Sequence, residues 1–190
     1  MERGRQVATG DAAAVRHGAG GSMSGSSAAA FLAIRRATRV DVPAIVRLLA
    51  DDPLGQARER YQDPLPQAYY DAFAQIDGDP RNELVVVELP GEVVGTLQLT
   101  LLPHLSHQGG TRAQIESVRV AEGYRGRGIG RHLFAWAIER AREAGCHQVQ
   151  LTTNAGRADA QRFYARLGFV GSHIGMKLDL MQSSAGGHGV

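Results

Sequence analysis

The sequence is poor in the residues that several classes of protein depend on. It contains a single cysteine, Cys146, so no disulfide can form within the chain and packing must hold the fold. Cys146 lies in a run typical of a buried strand, where cysteine is usually a small apolar residue and not a reactive one. No apolar run approaches the roughly 18 to 20 residues that cross a membrane. These absences predict a soluble, cytoplasmic protein without a membrane partner.

An excess of charge of one sign is also lacking. The formal net charge is only +2 over 190 residues, far from the dense basic stripe of a nucleic-acid-binding domain. Lys177 is the sole lysine, so arginine carries nearly all the positive charge. Aromatic residues amount to 6%, and they are not interleaved with the arginines as base stacking would require. We therefore expect no nucleic-acid partner, and a nucleic-acid-associated protein is the disfavoured hypothesis.

Length and composition predict one domain between two tails. Residues 1–30 are rich in Gly, Ala and Ser without apolar periodicity, which is typical of a disordered tail. This tail lacks the continuous apolar stretch of a signal peptide, and both Met1 and Met23 are candidates for the native start. The folded domain is expected over residues 31–181, and residues 182–190 are expected to form a flexible C-terminal tail.

The first half of the domain predicts a strand, two helices and a hairpin. The run FLAIRRAT predicts the strand, and Asp41 is expected to cap the first helix with Pro43 in its first turn. The second helix is predicted over residues 64–76. Two β-branched runs on either side of Pro90-Gly91-Glu92 predict an antiparallel hairpin.

The second half alternates strands and helices. AQIESVRV predicts a strand, a helix follows from Ile129 and ends at Gly145, and CHQVQLTT predicts the next strand. ADAQRFYARLG predicts a helix that stops at Gly168, and FVGSHIGMKLDL predicts one or two closing strands. The whole order indicates an α/β fold of the α+β type, with a mixed, mostly antiparallel sheet flanked by helices.

A cluster of glycines and arginines stands between the strand AQIESVRV and the helix at Ile129. Glycines free the backbone to adopt positive φ, and a helix start presents unpaired N–H groups, so this junction suits a phosphate or diphosphate. A dinucleotide fingerprint would need glycine or alanine where Arg131 stands, and a P-loop would need lysine there. An ordinary strand-to-helix turn needs one glycine at most.

The pattern Arg-x-x-Gly-x-Gly from Arg125 to Gly130 resembles the GCN5-related N-acetyltransferase (GNAT) family. Three segments in order carry the resemblance: IRRAT with DVPAIVRLL, IESVRVAEGYRGRGIGRHL, and NAGRADAQRFYARLGF. It covers roughly Ile34 to Leu180. It implies a GNAT-like acyl-CoA N-acyltransferase fold and transfer of an acetyl group from acetyl-CoA to a primary amine by direct attack in a ternary complex, with no metal. A small molecule and a protein both remain open as acceptor, and a homodimer is compatible with the resemblance.

The resemblance also implies residue roles at the acetyl-CoA site. The backbone of Val118 and Val120 would pair with the pantetheine arm, and the Val118 N–H would point at the thioester carbonyl. Asn154 would contact the same arm, although a turn-capping role is also open. The expected acetyl-CoA-binding residues are Val118, Arg119, Val120, Arg125, Gly126, Arg127, Gly128, Ile129, Gly130, Arg131 and Asn154.

Two side chains are candidates for the chemistry. Glu116 matches a position where some members of the family carry a base, while an exposed strand glutamate or an arginine ion-pair partner is the alternative. Tyr164 matches the general acid of the family, because a phenol with a pKa near 10 can protonate a departing thiolate; aromatic packing is its alternative. A non-catalytic acyl-CoA-binding regulatory module remains the alternative to an enzyme.

Histidines elsewhere give weaker signals. His104 and His107 precede the central strand, but without a third ligand nearby they are interpreted as an exposed loop pair and no metal is expected. Residues 173–177, near the closing strands, are a conjectural contact for the acceptor.

Overall fold

The computed structural model describes residues 32–51 and 53–180 and is built on a five-stranded sheet whose strand order follows chain order. Its strands are β1 (Ala33–Arg36), β2 (Asn82–Leu89), β3 (Glu92–Pro103), β4 (Thr111–Val120) and β5 (Gln148–Leu151). Neighbours are antiparallel from β1 to β4, and β4 pairs with β5 in parallel. The mixed, mostly antiparallel sheet expected from the sequence is confirmed. The two predicted tails, residues 1–30 and 182–190, lie outside the described residues.

Helices connect the strands. Their bounds are α1 (Val42–Ala50), α2 (Pro53–Gln56), α3 (Gln67–Gly78), α4 (Ser106–Gly109), α5 (Ile129–Glu143) and α6 (Ala158–Arg166). Helix α3 starts three residues after the predicted Pro64, because a residue that precedes proline disfavours the helical region and Leu65 precedes Pro66. None of the described helices combines the length and the apolar character that crossing a membrane requires.

Both faces of the sheet are covered, which explains the unbroken valine run of β2. Val85 and Val87 point to one face and join the core that α5 and α6 complete. Leu84 and Val86 point to the other face and pack with α1 and α3. A strand buried on both sides has no polar face to alternate with, so its sequence is continuously apolar.

A β-bulge interrupts β4 near its end. Gln98 pairs with Glu116 and Thr96 with Arg119, so Ser117 and Val118 together face one residue of β3. Ser117 accommodates the extra residue of the bulge by adopting a φ of 54°, in the left-handed region. Pairing of β4 with β5 stops at Ile115, whereas β4 continues to Val120. The last part of β4 therefore has an open edge on the β5 side.

The closing strands predicted from FVGSHIGMKLDL are wrong for the residues that the structure describes. After α6, residues 169–180 contain no strand. The apolar alternation is present, yet Ile174, Met176 and Leu178 are all at least 85% exposed. Alternation decides which face a side chain takes, but a strand forms only against a partner backbone, and none of the described strands pairs with this segment.

The predicted cap of the first helix is also wrong in detail. Asp41 stands at the cap position of α1, but its carboxylate points back and accepts hydrogen bonds from the Thr38 N–H at 2.7 Å and the Thr38 hydroxyl at 2.8 Å. Its main partner is Arg35 on β1, whose guanidinium donates to both Asp41 oxygens at 2.7 and 2.8 Å. Asp41 is only 5% exposed, so this pair fixes α1 against the sheet edge.

This pair predicts an acid-sensitive stability. Hydrogen bonds from Arg35 lower the pKa of Asp41 from 3.8 to about 2. A lowered folded-state pKa stabilises the protein above the unfolded value, so this contribution is complete above about pH 4 and is lost as the pH falls through about 2. Asp41→Asn should lower the free energy of unfolding by about 2 kcal/mol at pH 7, and by progressively less below pH 4.

Denaturant unfolding of the two proteins at several pH values measures this difference. Asp71→Asn, which changes an exposed carboxylate on α3, is the control and should leave the pH dependence as in the wild type. A constant difference between wild type and Asp41→Asn from pH 7 to pH 2 would contradict the ion-pair explanation.

Candidate functional site

The glycine turn between β4 and α5 has the backbone shape that only glycine adopts easily. Gly126 has a φ of 76°, and Gly128, at the cap of α5, has a φ of 85°. Both values lie in the left-handed region, where a Cβ is strained. Gly130 differs, because it belongs to the first turn of α5 and a Cβ there would meet only the Phe163 ring at 3.6 Å. Its lack of a side chain keeps the surface open.

This turn exposes the start of α5. The first helical hydrogen bond runs from the His132 N–H to the Gly128 carbonyl at 3.0 Å. The N–H groups of Ile129, Gly130 and Arg131 therefore have no acceptor within the helix. A helix start also carries roughly half a positive charge, so this end of α5 attracts an anion.

A cavity of about 380 Å³ lies at the same place. Its lining combines the glycine turn, the first turn of α5 and the end of β4: Val120, Tyr124, Arg125, Gly126, Gly128, Ile129, Gly130, Arg131 and Phe163. Seven of these were predicted, and Tyr124 and Phe163 were not. Tyr124 lies inside the glycine-rich motif and Phe163 directly precedes Tyr164, so adjacency to predicted residues was the available signal. The cavity has the size and charge for a diphosphate-like group.

The arginines of the motif have different surroundings. Arg125 donates to the Val120 carbonyl at 3.2 Å and reaches the Asp51 carboxylate at 3.5 Å. Arg127 lies over the Tyr124 ring, with its guanidinium carbon 5.3 Å from the ring centre, and it does not line the cavity. The Tyr124 hydroxyl donates to Glu92 at 2.9 Å, and this hydrogen bond raises the pKa of Tyr124.

The open edge of β4 leads away from this cavity. The Ala121 N–H bonds to Val94 on β3, so by alternation the N–H and carbonyl groups of Val118 and Val120 point away from β3, toward the open edge. Both carbonyls accept arginine side chains: Arg119 donates to Val118 at 2.9 Å, and Arg125 donates to Val120. The chain's own guanidinium groups therefore cap two backbone acceptors of the edge.

Tyr164 lies on α6 with its ring among other aromatics. Its centroid is 5.4 Å from that of Phe134, and Phe163 and Phe169 also contact it. Burial raises the pKa of Tyr164, and the charges of Arg157 and Arg119 partly oppose this increase. The phenol is therefore neutral at pH 7 and can donate a proton.

The other predicted site residues lie outside the cavity lining. Glu116 is exposed on β4 and accepts no hydrogen bond from a described residue. The Asn154 side chain accepts the Gly156 N–H at 2.8 Å, which is the turn-capping role that the sequence had left open. Within residues 32–51 and 53–180, no group of His, Cys, Asp and Glu has an arrangement that could hold a metal ion.

Comparison with known proteins gives a consistent result. A family model described as the acetyltransferase (GNAT) family matches residues 45–169. An aminoalkylphosphonate N-acetyltransferase of Salmonella typhimurium is 41% identical over 108 residues, or 57% of this chain and 70% of that relative. A glucosamine 6-phosphate N-acetyltransferase of Trypanosoma brucei brucei is 34% identical over 90 residues, or 47% of this chain and 59% of that relative.

A solved structure is similar over nearly the whole domain. The crystal structure of a transcriptional regulator from Bacillus halodurans C-125 is 52% identical, with a TM-score of 0.76. The match covers 78% of this chain and 99% of that one. The fold described above is therefore shared with a solved structure.

The different roles of Gly130 and Gly128 give a direct test of the cavity. Gly130→Leu should leave the melting temperature close to the wild-type value, because its backbone is helical, but should fill the cavity and weaken binding of inorganic pyrophosphate at least tenfold. Gly128→Ala should also lower stability, by about 1 to 2 kcal/mol for a left-handed residue. Calorimetric titration and thermal unfolding measure the two effects.

Gly78→Ala is the matched control, because Gly78 ends α3, has no left-handed φ and a Cβ there meets nothing. Its pyrophosphate affinity should equal that of the wild type. Unchanged affinity in Gly130→Leu would show that the anion binds elsewhere.

Proposed function

Because the chain belongs to the acetyltransferase (GNAT) family, we propose that it transfers the acetyl group of acetyl-CoA to a primary amine by direct attack in a ternary complex. The observation that carries this proposal is the cavity of about 380 Å³ at the start of α5, beside the open edge of β4. A helix start among left-handed glycines suits a pyrophosphate, and a free strand edge beside it suits an extended amide-containing arm.

The residues of the site fit such a ligand. The unpaired N–H groups of Ile129, Gly130 and Arg131 would hold the pyrophosphate, with Arg125 and Arg131 supplying full positive charges. The Val118 and Val120 backbone would pair with the pantetheine amides. Arg119 and Arg125 now occupy these two carbonyls, so both side chains would turn away as the arm binds. Arg125 would then be released to face the phosphates.

The chemistry requires two proton transfers. Acetyl-CoA supplies an acetyl group activated as a thioester. An amine with a pKa near 10.4 is mostly protonated at pH 7, and making it neutral costs about 4 to 5 kcal/mol. Glu116, exposed and without a hydrogen bond from a described residue, would take the proton that the amine sheds, directly or through water.

Tyr164 would complete the proton balance. As the acceptor nitrogen bonds to the acetyl carbon and the carbon–sulfur bond breaks, the Val118 N–H would stabilise charge on the acetyl oxygen. The neutral Tyr164 hydroxyl would give its proton to the departing sulfur and would later be reprotonated from solvent. Burial, which raises the pKa of Tyr164, keeps it in the donating form beforehand.

For the acceptor, we propose a small primary amine that carries a phosphonate or phosphate group. The names of the two acetyltransferase relatives support this class, since aminoalkylphosphonate and glucosamine 6-phosphate both combine an amine with a phosphorus oxyanion. A protein amine is the other acceptor to test.

The alternative function is a regulatory module that binds acyl-CoA without turnover. The 52% identity to a chain described as a transcriptional regulator supports this alternative. The two functions differ in a simple measurement. An enzyme releases free coenzyme A thiol when an amine is added, whereas a module binds acetyl-CoA and releases none with any acceptor.

The first functional prediction concerns Tyr164. Tyr164→Phe retains the ring contacts with Phe134 and removes only the hydroxyl, so the fold and acetyl-CoA affinity should be unchanged while kcat falls by roughly 10²- to 10⁴-fold. Thiol release under saturating substrates measures kcat. Tyr61→Phe, at an exposed tyrosine outside the site, is the control and should retain full activity. Full activity in Tyr164→Phe would leave Tyr164 with a packing role only.

The second functional prediction concerns the acceptor. 2-Aminoethylphosphonate should show a kcat/KM at least tenfold above that of propylamine, which has a similar length but no oxyanion. A lysine-containing peptide is the protein-like comparison. Equal values for the two amines would exclude recognition of the phosphonate, and a preference for the peptide would indicate a protein acceptor.

A further inference from the structure

A half-buried arginine far from the glycine turn has no partner among the residues that the structure describes. Arg112 lies in the first part of β4, and its Nε is buried without a hydrogen bond. No described residue forms an ion pair or a hydrogen bond with its guanidinium. Buried N–H donors normally have an acceptor, because a donor withdrawn from water without a hydrogen bond is costly. Arg112 therefore combines a positive charge with a buried N–H donor that an anion would satisfy.

Three histidines cluster near the backbone of Arg112, which pairs with Leu102 on β3 and with Gln148 on β5. His104 follows β3, and its Nε2 is likewise buried without a hydrogen-bond partner, while its Nδ1 shares a hydrogen bond of 2.7 Å with the Ser106 hydroxyl. The rings of His107 and His147 lie with their centroids 5.5 and 5.3 Å from that of His104. They stack on one another at 4.6 Å. His147, which lies 40 residues after His107 in the sequence, thus completes a group of three histidines.

The backbone builds this arrangement from three elements. The His104 N–H donates to the Gly110 carbonyl at 3.1 Å, and the His147 N–H donates to the Thr111 carbonyl at 2.9 Å. A Cβ on Gly110 would stand 2.9 Å from His147 Nδ1, so the close approach of this ring requires glycine there. The end of β3, the start of β4 and the start of β5 are therefore tied together around Arg112.

We propose that Arg112, His104 and His147 form a binding site for a small oxyanion such as phosphate. No described carboxylate pairs with the Arg112 guanidinium, and His104 offers a buried ring nitrogen that becomes a donor when it carries a proton. A metal cation is disfavoured, because the positive charge of Arg112 repels it and no described carboxylate joins the histidines.

This site is distinct from the cavity at α5. A strand rises roughly 3.3 Å per residue, so with the bulge counted Arg112 lies about 23 Å along β4 from Val120 and about 13 Å from Glu116. Arg112 and Glu116 share one face of β4 by alternation. The oxyanion could accordingly be a free ion, or the far end of an extended acceptor whose amine reaches Glu116. The site itself does not depend on acetyl transfer.

The lowered pKa of His104 is consistent with its position near Arg112 and the other histidines. Burial, followed by the positive charges of Arg112, His147 and His107, lowers the pKa of His104 below its ordinary value. An oxyanion bound between these groups would favour protonation and raise the pKa of His104.

The test is a phosphate titration followed by the NMR signals of the histidine rings. The full-length protein is titrated with inorganic phosphate at constant ionic strength set with sodium chloride. Phosphate should shift the His104 and His147 ring signals with a single saturating curve and raise the pKa of His104. Because these signals belong to this site, phosphate bound at the start of α5 does not interfere.

Variants add a second criterion. Arg112→Gln should weaken the phosphate-dependent shift of His104 at least tenfold and, by removing an unpaired charge, should not lower the melting temperature. Arg81→Gln makes the same change in net charge at a surface arginine paired with Asp79, and should behave as the wild type. Absence of a saturating shift in the wild type would overturn the site even if Arg112→Gln failed to fold.

Two further arms separate the alternatives. Zn²⁺ that moves the same ring signals at micromolar concentration, while phosphate does not, would overturn the oxyanion site in favour of a cation site. If the anion is part of the acceptor, Arg112→Gln raises KM for an anionic amine but not for a neutral one. If it is a free ion, phosphate binds the wild type as expected and KM is unchanged in the variant.

Discussion

The bulge at Ser117 and Val118 is the constraint on which the candidate site depends. One extra residue on β4 turns the strand where its pairing with β5 stops, and the edge beyond Ile115 stays open. Had β5 continued alongside β4, every backbone group there would be bonded and no ligand could pair with the strand. The same divergence leaves room for the glycine turn and for the exposed start of α5. A local backbone irregularity thus accompanies both the open strand edge and the exposed start of α5.

The sequence predicted the features that local chemistry determines. Helix α5 and its end at Gly145, the hairpin at Pro90-Gly91 and the stop at Gly168 all follow from glycine, proline and apolar periodicity, and the structure confirms them. Asp41 was misjudged because a cap is a local expectation, whereas its real partner, Arg35, is brought in by the packing of β1. The closing strands failed for a similar reason, since alternation specifies a face and not a partner.

Long-range proximity also explains what the sequence could not predict about the sites. The turn from Gly126 to Gly130 could be predicted from the sequence because its residues are contiguous. Phe163 could not, because it reaches the cavity only through the packing of α6. His104 and His107 were interpreted as an exposed loop pair because their third neighbour, His147, comes from the start of another strand. Likewise, nothing in the amino-acid sequence distinguishes Arg112 from Arg140. Arg112 has no partner among the described residues, whereas Arg140 pairs with Glu83.

The arginine caps on β4 have a consequence for the free protein. A bare strand edge is a template onto which another polypeptide can add and so begin to aggregate. Here Arg119 and Arg125 saturate the outward carbonyls of Val118 and Val120 and place two positive charges on that border. An added strand would have to replace both guanidinium groups with neutral amide donors. A polyanionic ligand would also displace them, but its negative charge would attract the displaced guanidinium groups. The two arginines thus protect this strand edge against pairing with another polypeptide.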